Sequence, residues 1–360
     1  MKKNVALSGY YGFRNAGDDA VCFAIIEALR QEMKECNITV LSNDVALTEA
    51  AYGVHAVNRW QPVKVFKTLL KSDVLISGGG SLIQDVTSKN GYLYYLGIIL
   101  MAKLTGTKVV IYSQGVGPLI HKRTQQLTAF AFNRAHAIFV RDEASAGLLK
   151  SIGVKKKIEV VPDPVLGIQE STFSDVDAKA QLKRQGWRGD CPLALIALRE
   201  WQDEDHVRDF AAQGDYLVQQ GYEVALLAMH HGQDGAISQA VAGHMQERAF
   251  VLNEAYPTPT LFGFFAQATL VVGMRLHALI IGAALGKKIM AISYDPKVDA
   301  FMAMMKNQAV IPYGSVNADL LIEKTAQCLE ADAVESKESL QTLKGRCYLP
   351  AKRCRGLLEK

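Results

Sequence analysis

The fold class this sequence predicts is α/β, with two tandem doubly wound domains, and three observations carry the prediction. Short runs rich in Val, Ile and Leu recur along the chain, each bounded by Gly or a polar turn. Helical stretches separate most of these runs, the alternation that buries parallel strands on both faces. The alternation pauses once, between residues 163 and 190, and then resumes. At 360 residues the chain is long enough for two cores of ordinary size.

In the first series, strands are expected at 5–10, 38–42, 73–78, 108–114, 137–141 and 158–162. Helices fall near 19–34, 62–71, 92–104, 124–135 and 144–152. The pause holds a polar helix bracketed by Asp163-Pro164 and the turn from Gly186 to Pro192, and it reads as a linker. The second series has strands at 193–198, 223–229, 250–252, 269–273 and 288–293, with helices near 204–220, 233–245, 259–268, 277–285 and 296–306. The expected organisation is an N-terminal Rossmann-like domain over 1–165, a linker over 166–190 and a C-terminal Rossmann-like domain over 191–316. A terminal helix and a basic tail fill 317–360, the helix packing back across the linker. Two such domains facing a cleft form a GT-B-like architecture.

Composition narrows the class of partner. A net charge of +4 is too small to make nucleic acid the main ligand. The six cysteines lack metal-ligand spacing, and Cys22, Cys191 and Cys328 fall in apolar surroundings as small core residues. The chain opens Met-Lys-Lys-Asn and runs straight into a strand, so no signal peptide is expected. Its longest apolar run, 92–104, is too short to span a bilayer, and a cytoplasmic protein with reduced thiols follows. The segment 344–355 is basic with a few apolar residues, and suits either a solvated tail or a peripheral contact with the inner membrane face.

The most informative stretch is Met274-Arg275-Leu276-His277, where a strand hands over to a helix. Ligands of open α/β sheets bind at the carboxyl ends of strands, and helix N-termini favour anions. Arg275 offers a planar fork for phosphate or carboxylate, and His277 is suited to proton transfer near neutral pH. Gly273 closes the same strand, while Arg199 and Lys297 follow the strands at 193–198 and 288–293. Lys297 sits in the first turn of a helix, where a cation opposes the dipole unless an anion shares the site. A surface pairing with Asp295 or Asp299 is the alternative for Lys297, and a buried ion pair the alternative for Arg275. His230 and His231 are adjacent in sequence with no spaced third ligand, so no metal is expected.

The first domain supplies glycine-rich strand exits. Residues 9–19 combine Tyr10, Tyr11, Asn15 and Asp18 around three glycines, a composition that suits sugar hydroxyls better than pyrophosphate, with Asp18 placed as a helix N-cap. Gly78-Gly79-Gly80 leads to Gln84 and Asp85, and Gln114 opens a further exit through Gly115 and Gly117. Arg141 ends the fifth strand at the same edge, with a local pairing to Glu143 as its alternative role. Several such exits on one edge make a broad polar platform, although tight turns alone would use the same residues.

Gly-Tyr-Tyr-Gly-Phe-x-Asn-x-Gly-Asp at 9–18, Ser-Gly-Gly-Gly-Ser-Leu-x-Gln-Asp at 77–85, Gln-Gly-Val-Gly-Pro at 114–118, Gly-Met-Arg-Leu-His-Ala at 273–278 and Ser-Tyr-Asp-Pro-Lys-Val at 293–298 occur in this order. The ordered set resembles the polysaccharide pyruvyl transferases, most closely the bacterial branch that decorates secondary cell-wall polymers. The resemblance runs from about Val5 to about Lys306. It implies a GT-B-like fold, phosphoenolpyruvate as donor substrate with no further cofactor, and a lipid-linked glycan precursor as acceptor. In that branch the acceptor unit is N-acetylmannosamine and the product a 4,6-O-pyruvyl ketal, whose carboxylate surface-layer proteins recognise. Arg275 and His277 match the donor-site and catalytic signature of the family.

The residues fit that chemistry when read alone. His277 is the candidate general acid, delivering a proton to the methylene carbon of the enol phosphate. Arg275, Lys297 and Arg199 would hold carboxylate and phosphate, while Asp18, Asp85 and Asn15 orient the acceptor and one acid takes a hydroxyl proton. Domain closure would expel competing water. Two other functions use the same architecture: a GT-B glycosyltransferase or nucleotide-sugar epimerase, and a non-enzymatic sugar- or anion-binding protein.

Overall fold

The computed structural model describes residues 2–86, 90–173, 175–201, 206–331 and 334–359. The chain divides into two compact units, the first formed by Met1–Phe13, Asp18–Ile168 and Leu343–Lys360, the second by Arg14–Gly17 and Gln169–Thr342.

The first unit runs β1 (Lys3–Ser8), α1 (Ala16–Glu32), β2 (Cys36–Ser42), α2 (Val45–Tyr52), β3 (His55–Asn58), α3 (Pro62–Leu70), β4 (Val74–Gly78), α4 (Gly91–Leu104), β5 (Lys108–Gln114), α5 (Lys122–Phe132), β6 (Ala137–Val140), α6 (Glu143–Ser151) and β7 (Ile158–Val160). Its sheet has the order β3-β2-β1-β4-β5-β6-β7, parallel throughout. All five residues of β4 are buried, which is why this strand is a continuous apolar run rather than an alternating one. On one face Leu75, Ile99, Ile111 and Phe132 belong to a single core. α2 and β3 have no counterpart among the sequence expectations. β3 is four residues at the sheet edge with no fully buried position, so it carries no apolar run.

The second unit runs α7 (Asp175–Gln185), β8 (Leu193–Ala197), α8 (Val207–Gln219), β9 (Glu223–Leu227), α9 (Gly235–His244), β10 (Ala249–Leu252), α10 (Thr258–Gln267), β11 (Ala268–Gly273), α11 (Leu276–Ala284), β12 (Lys288–Ser293), α12 (Pro296–Met304), β13 (Val310–Pro312) and α13 (Ala318–Glu330). The expected start of the helix at 204 lies outside the described residues. The sheet order is β10-β9-β8-β11-β12-β13, again parallel throughout, around a core that includes Ile196, Phe210, Leu226 and Val272. α13 packs on α8 and β12 within this unit.

The last segment is folded. After α14 (Val334–Cys347) comes α15 (Leu349–Leu358), whose Ala351, Cys354 and Leu358 are buried in the first unit. Arg355 pairs with Glu32 at 2.9 Å, and the Lys108 ammonium reaches the Leu357 carbonyl. Two of the expected core cysteines, Cys22 and Cys328, are buried, but Cys191 is exposed. It follows Asp190 in the polar turn before β8, and strand burial begins only at Leu193. No helix among the described residues is long and apolar enough to cross a membrane.

Candidate functional site

In each sheet the strand order reverses once, between β1 and β4 in the first and between β8 and β11 in the second. Such switch points open a crevice at the carboxyl ends of the strands. The motifs singled out in the sequence fall there: residues 9–19 and 78–85 follow β1 and β4, while Arg199 and Arg275-Leu276-His277 follow β8 and β11.

At the second switch point, Gly273 stands beside Ala197 in register, and the Met274 N–H donates to the Ala197 carbonyl at 2.9 Å. Arg199 and Arg275 therefore each lie two residues beyond a paired position. Arg275 is the N-cap of α11, and its side chain, which carries no acceptor, does not cap that helix. Its guanidinium grips Asp234 with two donors, Nε to Oδ2 at 2.9 Å and Nη2 to Oδ1. Asp234 precedes α9, is fully buried, and also accepts the His230 N–H at 2.8 Å. The forked end of Arg275 is thus fixed in direction by a carboxylate on the loop after β9.

The three expected donor-site cations differ in how their charge is met. Arg275 is offset by Asp234, and Lys297 by Asp295 at 2.9 Å, the N-cap of α12 that also accepts the Lys297 N–H. Arg199 has no carboxylate among the described residues. It donates to the Tyr294 hydroxyl at 2.9 Å and lies over the rings of Tyr294 and Trp201 at 4.9 and 5.0 Å. Its Nε is buried without a hydrogen-bond partner among those residues. Among the described residues, Arg199 is the one of the three whose charge no carboxylate offsets.

His277 is half-buried in the first turn of α11. Its neighbour comes from the far end of the chain. Asn15 bridges to His230, the Ala16 N–H donates to the Met229 carbonyl at 2.9 Å, and Gly17 lies against the imidazole. A Cβ on Gly17 would sit 2.4 Å from His277 Nδ1, so only glycine lets the backbone pass. Asn15 also accepts the Gly17 N–H through its side chain at 3.1 Å, and α1 starts at Ala16. Asp18 is therefore in the first turn rather than at the N-cap.

The first switch point redistributes the expected acceptor residues. Tyr11 is 1% exposed and donates its hydroxyl to the Gly78 carbonyl at 2.8 Å, so it braces β1 against β4 and cannot meet a ligand. Asp85 is buried too, and its oxygens accept the N–H groups of Ile120 and His121 at 2.8 and 2.9 Å. Burial works to raise its pKa, but these bonds and one from Thr124 win and lower it. Asp85 is thus a turn-holding carboxylate, poorly suited to accept a proton. Gln84 accepts the Val86 N–H at 2.9 Å. Gln114 is fully buried, with neither amide atom hydrogen-bonded among the described residues.

Gly79 and Gly80 adopt positive φ and press against α1, where Cβ atoms would lie 1.9 Å from Val21 and 2.7 Å from the Asp18 carboxylate. Close backbone packing therefore accounts for this glycine run. Tyr10 stacks on Phe13 with centroids 4.0 Å apart, and burial followed by the Asp18 charge raises its pKa. Arg141 donates to the Ser81 hydroxyl at 2.9 Å and lies near Asp142 and Asp163, not Glu143.

Of two further residues here, Arg59 was not singled out by sequence and Asp19 only as one of the acid pair at 18–19. Arg59 is buried, donates to the Gly9 carbonyl at 2.8 Å and lies 4.0 Å from the Tyr94 ring centroid. Asp19 has a pKa raised to about 7, chiefly by burial and then by the adjacent Asp18 charge, against one opposing bond from the Gly12 backbone. The double acid at 18–19 was its only signal, since burial cannot be read from composition. The shift has a consequence for stability. Between about pH 4 and 7 folded Asp19 keeps a proton that the unfolded chain releases, so stability falls as pH rises through that window. Asp19→Asn, which can still accept the Gly12 bond, should gain on the wild type as pH rises, its melting-temperature margin growing by several degrees between pH 5 and pH 8. An equal margin at both pH values would show that Asp19 is not shifted.

Among the described residues no group of three or more His, Cys, Asp or Glu side chains is arranged to hold a metal.

Comparison with known proteins bears on both fold and family. UDP-GlcNAc 2-epimerase from Neisseria meningitidis, solved with UDP-GlcNAc, matches with a TM-score of 0.63 at 13% identity, over 100% of each chain. The Anabaena protein HepE, solved with UDP-glucose, matches with a TM-score of 0.64 at 12% identity, over 99% of this chain and 98% of its own. ADP-heptose LPS heptosyltransferase II from E. coli matches with a TM-score of 0.51 at 11% identity, over 94% and 99%. Likenesses this distant show the fold alone, a GT-B-like pair of parallel α/β sheets. No curated protein sequence matches the chain. A family model for polysaccharide pyruvyl transferase, however, matches residues 15–296, a span that holds Asn15, the glycine-rich exits at 78–80 and 115–117 and Arg275-Leu276-His277, and the chain belongs to that family.

Proposed function

We propose that the protein transfers the pyruvyl group of phosphoenolpyruvate onto two hydroxyls of a sugar, forming a cyclic ketal and releasing phosphate. The acceptor in this reading is N-acetylmannosamine in a lipid-linked precursor of a secondary cell-wall polymer, pyruvylated at O4 and O6. The observation that carries the reading is the placement of Arg199, Arg275 and His277 at one switch point, within a chain of this family.

His277 donates a proton to C3 of the enol phosphate, and the electron pair of the C2–C3 double bond forms the new C–H bond. Positive charge develops at C2, where the first hydroxyl adds and gives up its proton. The C2–O bond to phosphate then breaks, the second hydroxyl adds, and the ring closes. Of the two hydroxyl protons, one replaces that drawn from His277 and the other leaves with phosphate, so the reaction balances with no redox partner. Arg199 and the N-terminus of α11 favour the donor's anionic groups, with Arg275 oriented by Asp234. Lys297 contributes less than a free cation would, because Asp295 offsets it.

The test is incubation with phosphoenolpyruvate and a panel of lipid-linked disaccharides, reading ketal by mass and phosphate by colour. His277→Ala should lose turnover by at least about a hundredfold while phosphoenolpyruvate still raises its melting temperature. Near-normal turnover in that variant would remove His277 from the proton transfer. Thermal stabilisation by UDP-sugars, with none by phosphoenolpyruvate, would replace the reading with that of a nucleotide-sugar enzyme.

A further inference from the structure

Large apolar side chains exposed to solvent are distributed unequally between the units. Among the described residues eleven of the twelve belong to the first unit, so they are not a general scatter. Most lie on or beside three helices that adjoin one another, α3 on α4 and α4 on α5. In α3, Val65 and Leu69 point into the core, while Val63, Phe66 and Leu70 recur at helical spacing on a face left open. Lys64, Lys67 and Lys71 are interleaved with them. In α4, Leu93 and Leu104 are three turns apart on one exposed stripe. Ile120, 66% exposed, leads through the exposed Lys122 and Arg123 into α5.

The stripe starts at a rigid aromatic. Trp60 is 60% exposed, yet its indole donates to Asn43 at 2.8 Å and the Arg59 guanidinium lies 5.2 Å from its ring centroid. Arg59 is in turn tied to Gly9 and packed on Tyr94. An exposed tryptophan fixed in place has already met the entropic cost of ordering. Its amphipathic ring suits the level of lipid headgroups.

Charge selects the partner. Residues 50–141 contain eleven lysines and arginines against two acids, Asp73 and Asp85, in a chain whose total is only +4. Asp85 is buried with its oxygens committed to backbone, so it does not temper the surface. A second copy of the chain is a poor occupant, because a two-fold interface on this stripe would set Lys64, Lys67 and Lys71 against their own counterparts. An apolar stripe laced with lysines and free of acids complements an anionic bilayer, where burial and phosphate attraction add.

We propose that the first unit docks on an anionic phospholipid surface through α3, the exposed stripe of α4 and the Ile120 turn. This places membrane contact on a surface other than the basic tail, whose helix α15 is packed into the unit. The inference stands whether or not the pyruvyl reading does.

Purified full-length chain should co-sediment with vesicles of phosphatidylglycerol and phosphatidylcholine, and at least tenfold less with phosphatidylcholine alone. The charge-neutral pair Val63→Ser and Phe66→Ser should lower partition at least tenfold with the melting temperature retained, since each such side chain is worth about that factor when buried. Lys352→Glu with Arg353→Glu in the tail should leave it unchanged. The proposal falls if the wild type ignores anionic vesicles, or if the tail pair abolishes binding while the serine pair keeps it. It falls equally if light scattering finds a wild-type dimer that the serine pair makes monomeric.

Discussion

Arg275→Ala will cost the protein about 3 kcal/mol of stability as well as its turnover, and adding Asp234→Asn will restore the stability but not the turnover. The alanine removes both donors that Arg275 gives to Asp234, and among the described residues it leaves a fully buried carboxylate with the His230 N–H as its remaining donor. A stranded buried charge is the costly outcome, and neutralising it removes the cost. Denaturant unfolding of the wild type, both single variants and the double variant measures the coupling directly. Activity should follow a different order, because the proposed donor fork is gone in both Ala variants whether or not Asp234 is charged. A double variant that regains turnover along with stability would mean that Arg275 only holds the loop after β9. A single variant of normal stability would mean that the ion pair is not closed in solution.

This pairing marks where sequence reading stopped. Buried strands such as β4 and β8 were legible because a strand covered on both faces must be apolar at every position. Edge strands β3 and β13 were not, because four or three half-covered residues leave no pattern. The site followed the same division. Glycine-rich exits and the Arg-Leu-His stretch could be placed at strand ends, since each is a local sequence feature. Which charges offset one another could not, except where the partners are neighbours, as Asp295 and Lys297 are. Asp234 reaches Arg275 only because β9, β8 and β11 lie side by side, and that order is a property of the folded sheet. Burial was equally hidden: Tyr11 and Tyr10 look alike in sequence, yet Tyr11 is sealed under Gly78 while Tyr10 stays partly open.

Gly17→Ala should reduce turnover about a hundredfold without unfolding the chain, although Gly17 lies 260 residues from His277 in sequence. The added methyl would meet His277 Nδ1, Cγ and Cβ at 2.4, 2.9 and 3.1 Å. Cγ and Cβ lie near the root of the side chain, so turning the ring alone cannot relieve the clash and the imidazole has to change its χ1 rotamer or shift. Gly17 has negative φ in the first turn of α1, where alanine favours the helix by up to about 1 kcal/mol and offsets part of the strain. The loss should therefore appear in kcat, with KM for phosphoenolpyruvate little changed because Arg199 and Arg275 keep their anchors. Combining Gly17→Ala with His277→Ala should give no more loss than His277→Ala alone, since a displaced imidazole and a deleted one fail in the same way. Additive losses would mean that Gly17 acts through something other than His277, and an unchanged kcat would mean that the backbone there can move aside.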